Sequence, residues 1–224
     1  MTSSWLHHAQ ILDSALPIGA FSHSFGVETL VAQDKVRGAS DLMDLLQNAL
    51  YGVWSTSDAL EIKGAYTLEK AQLWELNSLL HVSRVSRETR EGMQKMGRQA
   101  LKLGCSIHPH LDWDQLELAV RSGQCPGSWP LVYGFWTREL GVVLQSAATG
   151  YLYGCCAATL NGAVRLSVIG QTGAQSLLAS LVPEIELAWE QVAERDPFDF
   201  SSSLPVLEIA QMEHEWLESR LFMS

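Results

Sequence analysis

From Gly141 to Val164 the chain reads GVVLQSAATGYLYGCCAATLNGAV without one Asp, Glu, Lys or Arg, with Arg138 and Glu139 before it and Arg165 after it. Gly150, Gly154, Ala158 and Gly162 recur at every fourth position. On a helix they line one ridge, which lets a second helix approach closely. Leu144, Tyr151, Leu152, Cys155, Leu160 and Val164 supply apolar surface elsewhere, so the helix is expected to be buried on every side, with the other helices packed around it. A membrane span is the rival assignment, because about 20 apolar residues cross a bilayer. Gln145, Ser146, Thr149, Thr159 and Asn161 interrupt the run, and no second span or basic flank accompanies it. The stretch reads as a soluble core helix, with no membrane partner.

The rest of the chain supplies helices to surround it. Trp5 to Ala15 reads as a short helix ended by Pro17, and Pro17-Ile18-Gly19 as a turn. Phe21, Phe25 and Glu28 then fall at helical spacing, with Ser22 placed to cap. Ser40 is expected to cap a helix through Leu42, Leu45, Leu46, Ala49, Leu50 and Val53, and another runs through Ala59, Ile62, Ala65 and Tyr66. Trp74 to Val82 leads into a polar run, Arg84 to Lys102. There Arg84–Glu88, Arg87–Glu91 and Glu91–Lys95 lie four apart, the spacing of a solvated, self-compensating face. Gly104 is expected to close that helix, and Asp112 with Gln115 to cap the next. A helix from Trp129 and Pro130 reaches Arg138. Thr172 with Gln175 caps a later one that Pro183 should kink or split, and a last helix spans roughly residues 206–218. No alternating β pattern of useful length occurs. The expected class is all-α: a single domain over 1–224, a helical bundle around a buried central apolar helix, with residues 1–5 and 215–224 as flexible ends.

Charge and cysteine usage exclude several functions. Fifteen basic against 25 acidic residues leave a formal charge of -10, which argues against a nucleic-acid partner held through phosphates. MTSSWLHH lacks the basic and apolar regions of a signal peptide, so a cytoplasmic protein is expected. Cys105, Cys125, Cys155 and Cys156 have no zinc spacing and read as reduced thiols.

Little in the chain resembles catalytic machinery. Ser22-His23-Ser24-Phe25-Gly26 lacks the first glycine and the preceding strand of a nucleophile elbow. Cys105, His108 and His110 form the only dense group of soft and imidazole ligands, and would suit nickel or zinc, but no second ligand cluster completes them. His214 has Gln211, not Glu, at the spacing a carboxylate di-metal bundle requires. No cofactor is expected. The chain ends are more informative: Arg220, Leu221 and Phe222 stand where polar, fraying residues are usual. They either anchor an interface or fold back onto the chain's own core.

Four ordered segments carry a resemblance. Leu16-Pro17-Ile18-Gly19-Ala20-Phe21-Ser22-His23-Ser24-Phe25-Gly26-Val27-Glu28 resembles the signature of the urease accessory protein UreF family. So do Ser83 to Glu91 with Gly97-Arg98, then Ala163 to Leu166 with Gly170-Gln171, then His214-Glu215 through Arg220-Leu221-Phe222-Met223-Ser224. The resemblance implies an all-helical, non-enzymatic maturation factor that forms dimers and binds the accessory protein UreD (UreH). That complex recruits the GTPase UreG and docks on urease apoprotein, so that nickel enters the active site. By position, Phe21 and Arg220 match places tied to GTPase recruitment. Ser24, Phe25 and Glu28 accompany Phe21 on the same motif, and Leu221 and Phe222 lie in the segment that responds to UreD. The family often has tyrosine where Phe21 stands, so no hydroxyl is available there. The alternative function is a direct nickel carrier binding through Cys105, His108 and His110.

Overall fold

In the computed structural model, residues 4–224 are described; the part of the expected flexible N-terminus at 1–3 lies outside them. The architecture is all-α, with no strand among the described residues. Helix α1 (Ser4–Leu12) stops earlier than the proline requires, because the Asp13 carboxylate accepts the Ala15 amide at 2.8 Å and starts the turn. Gly19 (φ 88°) leads into a 3-10 turn, Ala20–Ser22, and helix α2 (Val27–Ala32) begins only after Gly26. Ser22 therefore caps nothing. Nor does Ser40: α3 (Ala39–Ala49) starts from extended Gly38 with no side-chain cap.

Between α3 and α4 (Ala59–Thr67) lies a π-helical segment, Leu50–Asp58. Its backbone also bonds outside itself. The Gly52 and Thr56 carbonyls accept the Ser203 and Ser201 amides at 2.8 and 2.9 Å, pinning the loop that leads into the last helix. Such π segments often mark places where packing overrides the regular helix.

Helix α5 (Lys70–Ser83) precedes α6 (Arg87–Ile107), which Ser86 caps by accepting the Thr89 amide. Gly104 does not end α6. It makes room for Trp113, whose ring would sit 2.7 Å from any added methyl. Asp112 caps nothing in α7 (Asp114–Ser122) and instead pairs with Lys70 at 3.7 Å. Ser128 caps α8 (Trp129–Glu139), with Pro130 at the first turn, where a missing N–H costs little. Helix α9 (Leu144–Arg165) is the central stretch. Helix α10 (Gln171–Glu190) starts from Gly170 without the Thr172 cap, and it is continuous through Pro183, which is exposed. Helix α11 (Pro205–Glu213) gives way to a 3-10 turn, His214–Trp216. No described helix is long and apolar enough to cross a membrane.

Helix α9 divides the core. Ala148, Leu152, Cys156, Leu160 and Ala163 face a cluster built with α2, α3, α10 and α11. Ala147 and Tyr151 face a second cluster built with α4, α6 and α8. Each fully buried leucine on such a face contributes roughly 1.5–3 kcal/mol. Burial is not complete all round, however: Tyr153, Ala158 and Asn161 are exposed. The small-residue ridge receives α1 most closely at Gly150, where an added methyl would lie 2.7 Å from the His8 ring, and more loosely at Gly154, 4.0 Å from Leu12. Beyond it the ridge borders a cavity of about 220 Å³, also lined by Leu12, Phe25, Met96, Trp129 and Tyr133. Near its end, the Phe222 ring lies 3.8 Å from where a Gly162 methyl would stand.

Candidate functional site

The last residues of the chain cross back over the motif at 16–28. Phe25 (φ 48°) and Gly26 (φ 95°) are successive left-handed residues, which turn the chain sharply before α2. Gly26 is required twice, by its dihedral and by packing, since a methyl there would meet Gln211 Cγ at 2.9 Å. The Ser24 and Phe25 amides donate to the Ser224 carbonyl at 2.5 and 3.0 Å, and the Ser22 carbonyl accepts the Met223 amide at 2.7 Å. The Ser24 hydroxyl also donates to Ser224 O, and His23 Nδ1 meets the Ser224 hydroxyl at 2.7 Å. Burial lowers His23 below the usual imidazole range, with Lys95 adding to the effect.

Two glutamates fasten the segment between α11 and Ser224. Glu28, in the first turn of α2, accepts the Leu221 amide at 2.6 Å and the Phe222 amide at 3.2 Å, and stands 2.9 Å from His214 Nε2. Glu88, in the first turn of α6, accepts Arg220 Nη1 at 2.9 Å and stands 2.7 Å from His214 Nδ1. A helix N-terminus favours negative charge, so both carboxylates suit their places. The polar run on α6 therefore does not compensate itself as its spacing implied. Of the three expected pairs only Arg87–Glu91 forms, at 3.6 Å; Glu88 serves His214 and Arg220, while Arg84 turns inward to Asp58 at 2.8 Å.

Arg165, the last residue of α9, joins the motif to the chain end. Its guanidinium carbon stands 4.2 Å from the ring centres of both Phe21 and Phe222, and Nη1 donates to the Phe21 carbonyl at 2.5 Å. Phe222 is buried by this contact, whereas Phe21 remains 63% exposed and Leu221 53%. The Arg220 side chain is 38% exposed. Phe25 stacks on His23 with ring centres 5.2 Å apart, and Ser24 is buried. The structure thus brings all seven candidate residues together, but in two roles. Phe21, Arg220 and Leu221 are presented to solvent; Ser24, Glu28 and Phe222 are consumed in holding the segment down, with Phe25 partly buried beside them.

Sequence reasoning placed Glu88, Arg165 and His214 in the family-like segments but gave none of them a role at this face, and weighed His214 individually only as a metal ligand. For Glu88 the helical spacing pointed the wrong way. Arg165 gave one clue, as the first charge after a long uncharged run.

Beneath this face lies a buried polar network. Asp58 accepts from Arg84 and from the Tyr151 hydroxyl at 3.0 Å; Glu61 accepts from Asn77 and from the Ser128 hydroxyl at 2.8 Å. Burial pushes the Glu61 carboxyl above the usual range, against the opposing pull of Arg84.

The alternative metal group does not assemble. Among the described residues no three His, Cys, Asp or Glu side chains are placed to hold an ion. The Trp136 indole N–H can only donate, and it donates to His108 Nδ1 at 3.0 Å, so the remaining proton of neutral His108 sits on Nε2, facing His7 Nδ1 at 3.3 Å. Neither ring nitrogen has a lone pair to spare. Burial, with His7 and His110 nearby, lowers His108 and keeps it neutral. The Cys105 thiol is pushed up by burial and then by Glu117, which opposes thiolate formation. Nor does Ser24 have an activating base, since no described histidine bonds its hydroxyl.

A protein-family model described as UreF matches residues 36–182. The chain belongs to the UreF family. It is 34% identical to the urease accessory protein UreF of Arthrobacter sp. (strain FB24), over 96% of this chain and 95% of that one. Identity to the UreF of Paenarthrobacter aurescens (strain TC1) is 34% over 96% of each chain. To the UreF of Streptococcus salivarius (strain 57.I) it is 30%, over 98% of this chain and 94% of that one. The UreF match at 36–182 leaves the motif at 16–28 and the chain end outside it, although the pairwise likenesses span nearly the whole chain.

Proposed function

We propose that this chain is a urease accessory protein acting as a scaffold and GTPase regulator. With UreD (UreH) it recruits the UreG GTPase and supports nickel insertion into urease apoprotein, as a cytoplasmic homodimer and without catalysis of its own. One observation carries the reading: the motif at 16–28 and the segment at 220–224 make a single face, with Phe21, Arg220 and Leu221 outward and Ser24, Glu28 and Phe222 behind them. Aromatic and arginine side chains on a supported surface are the usual anchors of a protein interface. The names of the relatives, all urease accessory proteins, agree with it.

Recovery of the GTPase on the tagged chain, with the UreD partner present, tests the reading. Arg220→Ala and Phe21→Ala should each reduce recovery, whereas Glu28→Ala should reduce it indirectly by freeing the segment that carries Arg220. Unchanged recovery with Arg220→Ala removes that residue from the surface. No observation favours the nickel-carrier alternative.

A further inference from the structure

We propose that the cavity beside α9 is a binding site for a neutral single-ring molecule that carries one carbonyl group. Its volume is about 220 Å³. An engineered cavity of about 150 Å³ with aliphatic and aromatic walls is enough to take up benzene, so a ring with a short substituent fits here. Ile11, Leu12, Ile18, Phe25, Met93 and Met96 supply apolar wall. The two methionines are unbranched and polarisable, and adapt to an irregular occupant.

The polar groups of the lining select the substituent. Arg84 and Thr89 both line the cavity. Among the described residues, Arg84 Nη1 and Thr89 Oγ1 are buried without a hydrogen-bond partner, and Thr89 is only 6% exposed. The other end of the Arg84 fork is engaged: Nη2 donates to Asp58 at 2.8 Å and to Glu61 at 3.4 Å. A guanidinium nitrogen can only donate, and a buried donor left without an acceptor costs free energy. An occupant that brings an acceptor is therefore favoured. Charge decides which acceptor. Asp58 already balances the guanidinium, with Glu61 beside it, so an anion would enter uncompensated. An ammonium group has no lone pair to offer Nη1. A carbonyl oxygen supplies the lone pairs without the charge. Water supplies an acceptor too, but along the apolar wall it finds none of the two to four polar partners that hold a buried water.

The site does not depend on the partner surface proposed above, and it is tested on the full chain alone. Acetophenone and ethylbenzene, alike in shape except for the carbonyl, are titrated separately into the chain carrying methyl-labelled methionine and followed by NMR. Acetophenone should shift the Met93 and Met96 methyl signals saturably and leave Met43, which packs against the other core cluster, in place. It should bind about tenfold more tightly than ethylbenzene, the worth of one hydrogen bond to a charged donor. Gly154 also lines the cavity, with 4.0 Å between an added methyl and the nearest atom. Gly154→Leu fills that space and should abolish the response to both compounds. The proposal is overturned if acetophenone gives no saturable shift at Met93 and Met96, if ethylbenzene binds equally well, or if a folded Gly154→Leu keeps the unaltered affinity. Where that variant does not fold, seen as a displaced Met43 signal, the comparison of the two compounds in the unaltered chain decides.

Discussion

Arg165 holds its guanidinium carbon 4.2 Å from the ring centre of Phe222, where the last turn of α9 meets the chain end. The same group contacts Phe21 at an equal distance, so one side chain fixes both halves of the proposed interface. Cation–π contacts contribute about 0.5–1 kcal/mol each when exposed and more when desolvated. Arg165→Met should lower stability by about 1–2 kcal/mol, a loss of a few degrees in Tm for a chain of this length. Arg165→Lys should fall between, since it keeps the charge without the planar group. Thermal unfolding followed by circular dichroism measures both.

Two glycine substitutions should change stability in opposite directions. A methyl on Gly97 would collide with the backbone of Gly127 and Ser128, which cannot rotate away. Overpacking of this kind costs typically 1–3 kcal/mol, more than the roughly 1 kcal/mol that Gly→Ala returns inside a helix. At Gly154 the nearest atom is 4.0 Å away, so Gly154→Ala should stabilise by up to about 1 kcal/mol. Urea midpoints of the two variants give the signs directly.

Glu61 sets part of the pH dependence of stability. Burial raises its folded-state titration above that of the unfolded chain, so the folded state binds this proton more tightly. Stability from this group is present at acid pH and is lost as pH rises through the folded-state titration. Glu61→Gln removes the ionisation, so unfolding free energies should shift in favour of the variant as pH increases. A gap between the two proteins that stays constant from about pH 5 to about pH 8 would exclude the effect.

The Trp136 N–H and the His108 ring form a purely structural pair. His108→Ala leaves that buried donor without an acceptor and should cost about 1–3 kcal/mol, apart from lost packing. Equilibrium dialysis with nickel should give the same affinity for the unaltered chain and for Cys105→Ser, because neither His108 nitrogen nor the Cys105 thiol is free to coordinate.

Most helices were legible in the spacing of apolar residues, and α9 was legible from its lack of charge alone. What escaped were features set by distant parts of the chain. Leu50, Tyr51 and Val53 continue the α3 pattern, and nothing local to them announces a π turn whose carbonyls are claimed by Ser201 and Ser203. Glu88 and Arg84 sit at helical spacing from each other, yet each finds a stronger partner in another element. A spacing rule counts neighbours along one helix and cannot weigh them against a buried imidazole contributed by residue 214. The meeting of Ser24 with Ser224 likewise required the fold, because 200 residues separate them.

The seam at Gly52 has a reach its position does not suggest. An alanine methyl there would stand 3.0 Å from the Ser203 carbonyl, and Ser203 is two residues ahead of α11. A side chain at 52 requires that loop to give by a few tenths of an ångström, and α11 is the rod that ends at His214. A glycine in the first quarter of the chain thereby meets the approach to its last helix, and mutational tolerance at 52 is governed by a backbone carbonyl about 150 positions downstream.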